Sequence, residues 1–187
     1  IKALTLVKDL VDAGSMSKEV INWTQGDVMN QFISGNIAMM VNGPWQVPTM
    51  REQAPDLNWD VTLLPKDAEY ASCLGGENFG VIDGDNVDAA LDFLQFATSK
   101  DEVASYIDDF GYIAARKDVA EGQFTDDETM QKFTEEMQYA QPRGPHAQWP
   151  EISDALSLAV NESITGTSTP ADAAAKAQST IDGILAE

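Results

Sequence analysis

Glycine and proline cut this sequence into short apolar segments before any of them grows long. No apolar run approaches the roughly 20 residues that cross a bilayer, so no membrane span is predicted. What remains is a globular chain built from short helices and strands. Ile1, Leu4, Val7, Leu10 and Val11 line one face of an opening helix that stops at Gly14. Gly26-Asp27 is predicted to cap a short second helix ending in Phe32-Ile33-Ser34-Gly35. Ile37 to Val41 reads as a brief strand, broken by Asn42-Gly43-Pro44-Trp45, and Trp59 to Leu64 as an extended segment ended by Pro65. Gly75-Gly76 precedes another short strand, Phe79 to Ile82.

The second half is more helical. Leu91, Phe93, Leu94, Phe96 and Ala97 predict a helix buried around much of its circumference. Ser99 with Glu102, and Thr125 with Glu128, have capping-box spacing, with Phe124 placed for a hydrophobic staple. Met130, Phe133 and Met137 form the inner stripe of that second helix. The loop Gln141-Pro142-Arg143-Gly144-Pro145-His146 stops both helix and strand. Trp149-Pro150-Glu151 opens a helix closed by Gly166, and Thr169 caps a last helix with Pro170 at its first position. The pattern is helix-rich α/β or α+β, without an internal repeat.

Eleven basic against 31 acidic residues leave a formal charge of −20. Such a surface repels phosphate backbones and anionic headgroups, so neither nucleic acid nor a membrane surface is an expected partner. The single cysteine, Cys73, excludes an internal disulfide framework. The chain opens on Ile1 without a signal peptide, inside a helical pattern, which reads as a mature or excised fragment.

No residue set carries catalysis. His146 is the only histidine and has no carboxylate partners at metal-ligand spacing. Asp83, Asp85 and Asp88 resemble the start of a calcium loop, but Val87 takes a ligand position and the glycine and closing glutamate are missing. An acidic turn capping a helix at Val87 accounts for them better. With 31 acidic residues, some pair meets glycosidase spacing by chance. No metal, cofactor or catalytic residue is expected. Asn22-Trp23-Thr24 and Asn161-Glu162-Ser163 match the short glycosylation sequon.

The loop aromatics are more informative. Trp45 follows a Gly-Pro break and Trp149 follows a proline-rich loop, so each sits at the end of an element that could present its ring to a cleft. An indole face suits the C–H face of a sugar ring, with Glu77, Asn78 and Arg143 as planar polar groups for its hydroxyls. Core packing of both tryptophans is the competing reading.

The run from Phe32 to Trp45, with Gly35, Ala38-Met39 and Gly43-Pro44-Trp45, resembles a segment of extracellular solute-binding proteins of ABC importers, the maltose-binding-like group. Val61 to Pro65, Gly75-Gly76-Glu77-Asn78-Phe79, the helices from Val87 to Phe110, the Pro-Arg-Gly-Pro-His loop and Trp149 follow in that family's order. The resemblance covers the C-terminal half of such receptors. It implies an α/β, periplasmic-binding-protein-like type II fold present as a partial two-lobe clamp. Residues 1–72 and 142–187 would then belong to the C-terminal lobe, and 73–141 would cross the hinge into the N-terminal lobe. Strands at Ile37 to Val41 and Phe79 to Ile82 would lose neighbours, leaving edges through which copies could associate.

By the same resemblance Trp45, Gly76, Glu77, Asn78, Arg143 and Trp149 are the expected ligand contacts, with Trp23 and His146 as weaker ones. The implied function is oligosaccharide capture outside the cytoplasm, at a lipid-anchored receptor serving ABC permease subunits. A glycan-processing or glycan-binding domain unrelated to transport is the alternative.

Overall fold

The computed structural model describes residues 1–186, a helix-rich α/β chain with one small open sheet. It divides into two compact units: Ile1–Val28 with the residues from Gly144 onward, and Met29–Arg143.

The first unit is helical. Its opening helix α1 (Lys2–Asp12) carries the predicted apolar stripe, and Val11 is buried. The long helices α8 (Trp149–Thr165) and α9 (Pro170–Leu185) pack on each other and on α1. Ala159, Ala173 and Ala177 are buried at this junction, with Leu4 of α1 laid against them. Small side chains let the α8 and α9 backbones approach closely, which explains an alanine-rich core. Pro150 sits in the first turn of α8, where its missing N–H costs nothing, and Gly166 ends it with a φ of 77°. Thr169 caps α9 as predicted: its Oγ1 accepts the Asp172 N–H at 3.1 Å. Lys176 of α9 pairs with Glu162 of α8, whose carboxyl is thereby held below the usual carboxylate range.

The boundary between the units, Val28 to Met29, falls within helix α2 (Gln25–Ile33). Its start differs from the expectation at Gly26-Asp27. Thr24 is the cap: its N–H donates to Asp27 Oδ2 at 2.8 Å, while the Asp27 N–H donates back to Thr24 Oγ1 at 3.2 Å. An aspartate at the third helical position completes the reciprocal pair that a glutamate usually makes.

The second unit holds α3 (Val47–Gln53), α4 (Val87–Ala97), α5 (Lys100–Tyr106), α6 (Lys117–Ala120) and α7 (Glu128–Glu136). Its sheet is a parallel pair of three-residue strands, β1 (Ser72–Leu74) and β2 (Ala140–Pro142). Tyr70 and Tyr139, each just ahead of a strand, stack with ring centroids 4.9 Å apart and steady the start of this ladder. Val103, Ala114 and Val119 form a buried cluster beneath Tyr106, Ile107 and Ala120.

Several local expectations are corrected here. Ile37 to Val41 and Phe79 to Ile82 are not strands, because no neighbouring strand among the described residues supplies a ladder for either; Met39 is 85% and Ile82 92% exposed. Helix α4 forms where predicted, but Leu91, Phe93 and Phe96 are more than half exposed rather than buried. Ser99 is the N-cap residue of α5 without a side-chain cap bond. The cap of α7 is Asp127, not Thr125, so Phe124, at a φ of 57°, stands three residues before the cap and not at the staple position directly before it. Asp127 wins because its Oδ1 reaches the Met130 N–H at 3.1 Å while both its oxygens grip Arg51 at 2.8 Å.

Candidate ligand-binding site

The residues singled out in sequence fall on both units. Trp45, Gly76, Glu77, Asn78 and Arg143 lie in the second; Trp23, His146 and Trp149 lie in the first.

Trp45 is held in a 3-10 turn (Pro44–Gln46) that runs straight into α3, whose Val47 and Met50 are almost fully buried. The turn is therefore anchored in the core while the indole stays half-buried. The benzo edge of the indole lies directly over Gly43. A Cβ at that position would stand 2.1–2.3 Å from three ring carbons. Glycine precedes Pro44-Trp45 here because the tryptophan ring occupies the volume a side chain would need.

Trp45 is part of a larger aromatic group. Its ring centroid is 6.0 Å from that of Tyr112, at an interplanar angle of 37°. Tyr112 is in turn 6.5 Å from Phe110, and Phe110 6.2 Å from Tyr106. Gly111 makes this possible. It adopts a φ of 66°, and a Cβ there would meet Pro44 O at 2.8 Å and the Pro48 ring at 2.9 Å. The 110–114 segment is thus seated against the Gly43-Pro44-Trp45 turn. The side chain of Gln123 fixes it further, donating to the Tyr112 carbonyl at 3.1 Å and to Asp108 at 2.6 Å while accepting the Ala114 N–H at 2.7 Å.

Sequence reasoning missed Tyr112 and the role of Phe110, treating the latter only as a helix end. The signal present was the triplet Phe110-Gly111-Tyr112, two aromatics flanking a glycine just after a helix. Nothing in it indicated that its partner would be a tryptophan from a distant part of the chain.

The polar candidates follow the two strands of the sheet. Leu74 pairs with Pro142 at the last rung, so the Gly75–Asn78 segment and Arg143 leave the parallel ladder at the same end. Gly76, Glu77, Asn78 and Arg143 are all exposed. In the first unit, Trp149 opens α8 half-buried, its backbone N–H donating to the His146 carbonyl at 3.0 Å. The His146 ring accepts the Gln148 N–H at Nδ1, 3.2 Å away, which occupies one of its two nitrogens in a local turn. Trp23 is half-buried, its backbone N–H donating to the Val20 carbonyl. Among the described residues, no group of three or more His, Cys, Asp or Glu side chains is placed to hold a metal ion. No described helix is long and apolar enough to cross a membrane.

Residues 1–132 match the profile of a family described as bacterial extracellular solute-binding proteins, and the chain belongs to that family. Over 185 residues it is 28% identical to proteins named as putative binding proteins in Brucella abortus strain 2308 and Brucella suis biovar 1. The match takes in 95% of this chain and 45% of each relative, so the chain spans about half the length of the curated relatives it matches. The family and these names point to a binding role rather than an enzymatic one, and the family is described as extracellular.

Proposed function

We propose that the chain captures carbohydrate, specifically an oligosaccharide, for an ABC importer. Trp45 stacks on the sugar, Gly76, Glu77, Asn78 and Arg143 meet its hydroxyls, and Trp149 supplies a second aromatic contact. Trp23 and His146 are subsidiary contacts. In the full-length receptor, residues 1–72 and 142–187 belong to a C-terminal lobe and 73–141 to a hinge-crossing segment of the N-terminal lobe. The two lobes form a type II clamp that closes on its ligand. Closure presents the loaded receptor to the permease subunits, with a lipid anchor keeping it at the cell surface.

The observation that carries this reading is the anchored Trp45: a half-buried indole on a rigid turn, in a member of a solute-binding family. Carbohydrate recognition favours such rings because the C–H face of a pyranose packs on an aromatic face at little entropic cost. Titration calorimetry of the full-length protein against a sugar panel tests it. Trp45→Ala is expected to cost about 2 kcal/mol of sugar affinity, as for a central aromatic anchor. Unchanged affinity would remove Trp45 from the site, and silence across the panel would remove carbohydrate.

A further inference from the structure

The ring group around Trp45 goes further than one stacking residue. We propose that Tyr112 and Phe110 extend Trp45 into a continuous aromatic ledge, and that this ledge makes the site selective for linear oligosaccharides over single sugars. The inference rests on the carbohydrate reading above.

Three features of the geometry support a ledge. Successive centroids at 6.0 and 6.5 Å, tilted by 37° and 46°, leave no room for a sugar ring between neighbours, so a ligand packs along the rings and not between them. Phe110 is 57% exposed, and Trp45 and Tyr112 are half-buried, so the group is not sealed into a core. The scaffold is also set in advance. Gly111 lies against Pro44 and Pro48, and the three hydrogen bonds of Gln123 hold residues 108, 112 and 114 in place. Rings fixed before the ligand arrives lose little rotamer freedom on binding, and that is how aromatic surfaces convert contact into affinity. A single sugar covers one ring of such a ledge; a chain of sugars covers several. Selectivity by length follows from contact area alone, without a hydrogen bond to any terminal group.

Calorimetric titration of the full-length protein with maltotriose, cellotriose and glucose tests the proposal. Tyr112→Ala is expected to weaken the bound trisaccharide by about tenfold while changing glucose affinity less than about twofold, the difference one lost aromatic contact makes. Tyr112→Phe retains the ring and is expected to bind like the parent, since no hydroxyl contact is invoked. Phe110→Ala serves as the second variant, because an exposed ring is removed without opening the core; it too should weaken the trisaccharide more than glucose. If Trp45→Ala weakens binding while Tyr112→Ala and Phe110→Ala leave the trisaccharide unaffected, the ledge is refuted and the carbohydrate reading stands. If the two variants weaken glucose and trisaccharide equally, length selectivity is refuted. If the parent binds none of the three sugars, the ledge falls together with the carbohydrate reading.

Discussion

Gly111 shows how much of this site is decided by the absence of a side chain. Its φ of 66° is costly for any residue with a Cβ, and its neighbours on the open side are a backbone oxygen and a proline ring, neither of which can swing away. Gly111→Ala should therefore destabilise the protein by about 1–3 kcal/mol, the range for a residue forced into a sparsely populated backbone region. Denaturant midpoints at constant m-value will read it; an unchanged midpoint would mean that the turn around Pro44 relaxes freely. The sequence made the Gly-Pro-Trp break and its aromatic legible, because glycine and proline act locally. Gly111 was silent, because what it accommodates comes from a distant part of the chain.

Among the elements, α7 shows where local reading succeeded and where it failed. Its apolar stripe was legible in Met130 and Phe133, and Met130 is indeed among the most deeply buried side chains. Its start was misplaced by two residues because Asp127 has a tertiary partner, Arg51 on α3, that no local spacing reveals. The same gap hid the sheet, whose two short strands are separated by four α-helices. The Arg51 guanidinium, hydrogen-bonded to Asp127, holds that carboxyl below its usual range, with the Met130 N–H adding to the effect. A depressed folded-state value stabilises the fold above the unfolded carboxylate value of about 3.9. That contribution disappears as pH falls through the folded value. Asp127→Asn should thus lose stability at neutral pH and show a smaller further loss than the parent between about pH 5 and pH 3. Removing the cap altogether in Asp127→Ala should cost about 1–2 kcal/mol at neutral pH. Equal acid sensitivity of the Asp127→Asn variant and its parent in urea titrations would refute the coupling.

Across the whole molecule, apolar side chains stand exposed on the second unit that would ordinarily be covered: Met39, Val41, Phe79, Ile82, and Leu91, Phe93 and Phe96 of α4. The alternation of element types and the two long terminal helices were legible in sequence, but this exposure reversed the expected burial of α4. Periodicity reports that a helix has an apolar face, not whether the 187-residue chain supplies the surface to cover it. Opposing any association is a formal charge of −20, which makes copies repel. The 187-residue polypeptide is therefore expected to bind a hydrophobic dye and to associate reversibly. Its weight-average mass in sedimentation should rise with protein concentration and with added salt, as screening shortens the repulsion. A monomer that ignores both variables and leaves the dye dark would show that these side chains find cover within the chain. In the first unit, α1 packs against α8 and α9, so its apolar stripe meets partners that are synthesised long after it. At about 5–20 residues added per second, that helical cluster cannot close for many seconds after α1 emerges from the ribosome. Until then the apolar stripe of α1 waits for its partners, so the first unit closes only when the far end of the chain has been made.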